Sequence, residues 1–166
     1  LPYWVWQALP RLFPEEFGGR TDYAAFGFLY EQDHDGQQRD LPIGISRRPY
    51  RGIDMVWFNC AICHVGTWRP DAATPRPHLV AAMPANNLDL GRFVRFLLGT
   101  AASDPRLKPE ALVAKVNEAG ADLGFAERLI WTYSVAPAVR EGLLERQARL
   151  MPLLEEQPPW GPGRVD

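Results

Sequence analysis

Cysteine is almost absent from these 166 residues: there are two, Cys60 and Cys63. That is too few for the disulfide framework that staples small secreted domains. No apolar run approaches the ~18 residues of a membrane span, and the opening lacks the basic-then-apolar stretch of a signal peptide. The first residue is Leu, so a mature or trimmed chain is expected, and the missing leader does not decide secretion. Charge of one sign is lacking too. Eighteen Lys and Arg stand against twenty Asp and Glu, net −2, without the clustered basic excess of a nucleic-acid binder. Repeats and low-complexity segments are missing.

Apolar material, by contrast, is plentiful. Hydrophobic residues make up 46%, with six Trp, eight Phe and five Tyr, and a chain of this length buries roughly two-thirds of its unfolded surface as one domain. Sixteen prolines predict long irregular connections. Residues 1–58 read as an aromatic, irregular lead-in. Its first part, "LPYWVWQALPRLFPEEFGG", predicts a short broken helix on an apolar surface, or the sequel to a removed membrane anchor. The pieces "YAAFGFLY", "LPIGISRR" and "IDMVWF" predict short extended segments around the polar loop "EQDHDGQQRD".

Residues 85–155 predict helices. In "NNLDLGRFVRFLLGT" the residues Asp89, Arg92 and Arg95 form one narrow polar stripe on an otherwise apolar, buried helix, capped by Asn86 or Asn87. Pro109 and Gly120 bracket the next helix. Pro137 ends or kinks the last one near Ala136, and Glu145 with Arg149 makes an i, i+4 ion pair. The tail "PPWGPGRVD" reads as irregular.

Between these regions, residues 59–84 carry "NCAICHVGTW". On a helical turn, positions i, i+3 and i+4 share a face, so Cys60, Cys63 and His64 project together. Two sulfurs there can form thioethers to the vinyl groups of one haem edge while the imidazole reaches the iron, the pattern of c-type haem attachment. A thioredoxin-like disulfide site has the same spacing but demands a βαβ context that the pattern does not offer. A zinc site needs about four ligands and lacks a second pair. Two inert cysteines beside an unrelated histidine complete the alternatives.

With haem, His64 is the proximal ligand, neutral at Nε2 and donating through Nδ1. The sixth position decides between electron carrier and oxygen or peroxide chemistry. Met83, before Pro84, is the first candidate; His78, in the proline-rich loop "RPDAATPRPHLVAAMP", is the alternative. Met55 and Met151 are more remote choices, and an open position is another. Arg47, Arg48, Arg51, Arg69 and Arg76 offer guanidinium partners for haem propionates, or are ordinary surface charges. Trp57, Phe58 and Trp68 suit a haem wall or a core. "EQDHDG" spaces Glu31, Asp33 and Asp35 like the start of a calcium loop, but the twelfth position is Pro42, so a solvated acidic turn is expected, with calcium unlikely and His34 exposed.

Taken together, "LPIGISRR", "GIDMVWFNCAICHVGTWR", "MPANNLDLGRFVRFLL" and "PPWGPGRVD" resemble the amino-terminal haem domain of bacterial di-haem cytochrome c peroxidase-like proteins, a group that includes haem-dependent rubber oxygenases. The likeness runs from about Tyr23 to the end. It implies thioethers at Cys60 and Cys63, His64 as proximal ligand, and a distal histidine near the position of His78. Members carry a second Cys-x-x-Cys-His that this chain lacks, so one haem is expected, in a single-haem relative or in part of a longer two-haem protein. The expectations are a mainly α, cytochrome c-like domain with few short strands, one covalent haem c, and electron transfer to a redox partner protein or second haem domain. Covalent attachment implies a periplasmic or extracellular location, with a membrane-associated complex as one setting for it. Peroxidase or oxygenase action and thiol oxidoreduction are the alternatives.

Overall fold

The structure, a computed structural model, describes residues 1–158 and 161–163. Part of the tail, 159–160 and 164–166, lies outside the described residues. Helix α1, Tyr3–Leu12, sits at the centre of the core, with Val5, Trp6, Ala8 and Leu9 buried. Pro10 lies within its last turn and has no N–H to give to the carbonyl four residues back. That carbonyl belongs to Trp6, and the Tyr23 hydroxyl donates to it at 2.6 Å. The Tyr23 ring then stacks on Trp6, with centroids 3.7 Å apart and planes 14° from parallel. Burial pushes the Tyr23 phenol well above its ordinary pKa, so it remains a donor.

Phe17, Phe26, Phe28, Phe93 and Phe96 close around this pair, mostly edge to face. The segment that holds Tyr23 was expected to be extended. It is instead one tight helical turn, Tyr23–Phe26, because Asp22 accepts the Ala24 N–H at 3.0 Å and caps it, and Gly27 stops it at φ 79°.

Strands β1, Ile45–Tyr50, and β2, Ile53–Phe58, form an antiparallel hairpin. Arg51 and Gly52 both take positive φ at its turn, as a two-residue connection between right-twisted strands requires. Leu1 and Pro2 line the other edge of β2, where Val56 N–H donates to Leu1 O at 2.8 Å. A second hairpin joins β3, Val65–Trp68, to β4, His78–Ala81.

The helical half follows the predicted outline. Helix α2, Leu90–Val94, continues in wide turns to Ala101, burying Phe93, Phe96, Leu98 and Ala101. Its cap is Asp89, which accepts the Arg92 N–H at 2.9 Å, and not the expected Asn86 or Asn87. Helix α3, Pro109–Val116, winds on to Ala121 past Gly120 at φ 104°. Helix α4, Phe125–Ile130, passes through wide turns at Trp131–Val135 into α5, Ala136–Glu155. Pro137 falls just past that widening; an expanded turn accommodates the missing donor and the crowded ring without breaking the helix. Glu145 and Arg149 pair at 2.7 Å on the exposed face, a contact worth only about 0.3–0.5 kcal/mol. About 47% of the described residues are helical. The fold is therefore mixed, a helix-rich second half beside two small sheets, and not mainly α throughout.

Arginines stitch the halves together. Arg92 donates to Ala25 O and Glu16 O, and Arg95 to Leu154 O at the end of α5. Arg106 grips Asp104, Glu15 and Leu12 O while its guanidinium lies 4.0 Å over the Phe13 ring.

Two outcomes follow from these contacts. Tyr23→Phe keeps the packing but strands the Trp6 carbonyl, and chemical denaturation should show a loss of about 1–3 kcal/mol. Hydrogen bonds from Arg106 hold the Asp104 carboxyl below its usual range, as Arg20 does for Asp22. Ionisation therefore favours the folded state. The stabilisation is fully present above the unfolded carboxylate value of about 3.9 and disappears as pH falls through the lower folded values. Urea midpoints should be level near neutrality and decline in acid, with a shallower decline in Asp104→Asn.

Candidate functional site

Strand β2 runs straight into the motif. Asn59 N–H donates to Gly44 O at 2.9 Å, and the Asn59 side chain braces both flanks, accepting the Ala61 N–H at 3.0 Å and donating to Ser46 Oγ at 2.7 Å. One helical turn follows, Cys60–Ile62, and the N–H groups of Cys63 and His64 both return to Cys60 O, at 3.2 and 3.1 Å. Val65 then begins β3. The predicted turn is present, but it is a single turn and not the start of a helix.

What orients this turn is Ile62, its one buried side chain. Gly44, at φ +88°, lets the chain approach so closely that a Cβ there would stand 2.3 Å from Ile62 N. With Ile62 inward, Cys60 and His64 are exposed and Cys63 is half-buried; both thiols are free. The imidazole of His64 has no hydrogen bond or ion pair among the described residues, so it is available to a ligand. Trp57, Phe58 and Trp68 flank the turn at 47%, 51% and 56% exposure, with Leu79 and Val80 also exposed. These three aromatics are not core; as strand neighbours Trp57 and Phe58 point to opposite faces, Trp57 meeting Tyr50, Phe58 lying near Phe93 and Trp68 near His78.

Residues 82–87 brace the turn from the other side. Ala82 N–H donates to His64 O and Ala85 N–H to Cys63 O, each at 2.9 Å. The Asn86 side-chain amide pairs with Thr67 as another strand would, accepting its N–H at 2.9 Å and donating to its carbonyl at 2.7 Å. Thr67 Oγ1 donates to Asn87 Oδ1 at 2.6 Å. The two asparagines read as helix caps thus serve as the second edge of β3. Among the described tail residues, Gly163 N–H reaches Leu88 O at 2.9 Å.

The candidate sixth ligands are placed unequally. Met83 follows the β3–β4 pairing, between the two clamps on Cys63 and His64. Its thioether lies over Gly66, 3.1 Å from where a Cβ would be, and is half-buried. His78 pairs with Trp68 at the far end of the hairpin, four residues from His64, about 13 Å at strand rise. It is exposed. Met55 pairs with Arg48 in the first hairpin, and Met151 packs on Gly99; neither borders the motif.

Of the five arginines, Arg47 is tied to Asp54 and lies over the Tyr3 ring, Arg51 lies over Tyr50, and Arg76 donates to Gln32. Arg48 and Arg69 are exposed and have no partner among the described residues. In the polar loop, Asp33 Oδ1 accepts the N–H groups of Asp35 and Gln37, so this carboxylate closes its own turn; His34 is exposed. An open hollow of about 330 Å³ bordered by Arg39, Asp40 and Ile45 lies off the motif, lined by neither cysteine nor histidine.

Two free sulfurs, Cys60 exposed and Cys63 half-buried, and an adjacent exposed imidazole without a partner among the described residues fit a haem attached at Cys60 and Cys63. A closed metal site fits less well: among the described residues no three of His, Cys, Asp and Glu gather round one position. A thioredoxin-like site fits less well too. The cysteines follow a strand, but they run into β3 and not into the helix whose N-terminus would activate a thiol. No family model, curated protein or solved structure matches this chain.

Gly44→Ala should therefore displace the turn and cost about 2–3 kcal/mol or more, combining left-handed strain with a backbone clash. Gly52→Ala, also at positive φ but with nothing near its Cβ position, should cost about 1 kcal/mol. Paired thermal melts check the difference.

Proposed function

We propose that this is a c-type cytochrome domain that transfers electrons through one covalently held haem. The observation that carries this reading is that Cys60, Cys63 and His64 sit together on and just after one tight turn, both thiols free, with no competing partner for the exposed imidazole among the described residues. Cys60 and Cys63 would hold the group through thioethers, and His64 would supply a nitrogen to its iron. Bound there, haem iron supplies a one-electron couple whose potential is set by axial ligands and burial. Phe58 and Trp68, in the strands on either side of the turn, offer exposed apolar surface, and Arg69, one residue past β3 and without a partner among the described residues, offers a guanidinium for a propionate.

For the sixth position the geometry favours His78 over Met83. Met83 is held beside Cys63 by the Ala82–His64 and Ala85–Cys63 hydrogen bonds, whereas His78 stands at the far end of the hairpin from His64 with an exposed side chain and would be the second imidazole to hold the iron. The resemblance to di-haem peroxidase-like proteins points the same way, and the covalent attachment that it implies belongs to a periplasmic or extracellular setting. An open sixth position would instead support peroxide or oxygen chemistry.

Intact mass spectrometry of protein made with a haem-attachment system should exceed the bare polypeptide by one haem, and the red colour should survive acid–acetone extraction. A bare-chain mass ends the haem reading and leaves the thiol chemistry. In the haem-loaded protein, His78→Ala should convert a six-coordinate spectrum into one that binds carbon monoxide on reduction, while Met83→Leu should change neither. A near-infrared sulfur-to-iron band abolished by Met83→Leu would restore Met83 as the ligand.

A further inference from the structure

The largest apolar exposure outside the motif lies on α4 and the wide turns after it. Phe125, Leu129, Ile130 and Tyr133 are 81%, 44%, 58% and 77% exposed, while Trp131 and Val135 on the opposite side are buried. These four leave roughly 500 Å² of apolar surface uncovered, taking a large side chain at about 200 Å² when free. Patches of this size on a monomer are often functional. The charged residues interleaved with them are engaged with their own backbone. Glu127 accepts the Gly124 N–H at 2.8 Å and Arg128 Nε donates to Leu123 O at 2.8 Å, so neither ionic group competes for the stripe.

Two observations indicate what covers it. Three of the four side chains are evenly spaced: Leu129 stands at the centre, with a large aromatic four residues to either side, Phe125 and Tyr133, and Ile130 flanks the centre. A two-fold interface requires a patch complementary to itself. An antiparallel copy meets that demand, placing Leu129 on Leu129 of the second copy and each Phe125 on a Tyr133. The area agrees. A standard interface buries about 800 Å² per partner, and at the roughly 65% apolar content of homodimers it needs on the order of 500 Å² of apolar surface, which the stripe provides.

We infer that the face of α4 carrying Phe125, Leu129, Ile130 and Tyr133 is a self-association surface that pairs two copies of this chain antiparallel about Leu129. Both end residues are too exposed for their substitution to threaten folding, which far-ultraviolet circular dichroism checks. Light scattering on the eluting protein, over a wide concentration range, should give twice the chain mass. Phe125→Lys alone and Tyr133→Glu alone should each give the single-chain mass at concentrations where the wild type is paired, because each leaves two charges against aromatic rings. The combined variant Phe125→Lys, Tyr133→Glu should recover the doubled mass, since antiparallel pairing sets each lysine against a glutamate across the interface. A wild type of single-chain mass at every concentration overturns the inference, and so does pairing that survives either single variant or a combined variant that stays unpaired. The measurement is independent of haem attachment.

Discussion

A carbonyl without an amide partner organises this molecule. Pro10 deprives Trp6 O of its helical hydrogen bond, and Tyr23 reaches across the chain to satisfy it. An unsatisfied buried carbonyl costs about 1–3 kcal/mol, so the phenol is held at that point, stacked on Trp6. Everything between α1 and the motif follows from that placement. The turn that begins at Tyr23 ends at Gly27, which sits so close to Asn87 that a Cβ would lie 1.8 Å from its carbonyl oxygen. Phe26 O accepts the Asp89 N–H at 2.9 Å. Asn86 and Asn87 are thereby set opposite Thr67, and β3 with the motif turn is fixed in front of them. The candidate site is thus positioned from the aromatic core by a relay of backbone contacts and side-chain amides.

Arginine plays a second organising part that charge counting hides. Arg92, Arg95 and Arg106 each donate to main-chain carbonyls far away in sequence, and two of them also cover aromatic faces. Their stems are packed and their heads close helix ends or loops, a use that suits a planar, multiply donating cation better than a lysine. The polar stripe on α2 is accordingly a set of fasteners between segments and not a solvated face.

Much of the helical half was legible in the sequence because its signals are local. Pro109 and Gly120 mark their helix, Pro137 marks the widened turn, and Glu145 pairs with Arg149 as spacing predicts. The reading of α1 as a short helix on an apolar surface was also accessible from its aromatics and prolines. What escaped depends on distant partners. β4 is only "HLVA", exposed at all four positions, so it has no buried face to impose an alternating pattern; it is a strand because β3 pairs with it. Asp89, Asn86 and Asn87 are all competent caps, and tertiary contacts decide among them, because the amides are taken by Thr67. The tight turn at Tyr23–Phe26 is the exception: its Asp22 cap and Gly27 stop are local, and only the seat of the Tyr23 hydroxyl on Trp6 O needed the fold. At the motif, spacing foretold a helical turn at Cys60–Ile62, whereas the hairpin that separates Met83 from His78 required the fold.

The asymmetry of β3 has a dynamic consequence. Its central residue Thr67 is bonded to Asn86 on one edge and lies opposite Leu79 on the other. β4 is a two-stranded sheet's outer member and has only β3 beside it. Segments with few buried contacts open at a small fraction of the global unfolding free energy, so β4 peels away first while β3 keeps its grip. Fluctuation at His78 is then separate from the motif turn, whose Cys63 and His64 carbonyls are held by Ala85 and Ala82. The outer rim of the hairpin loosens while the turn behind it keeps its shape.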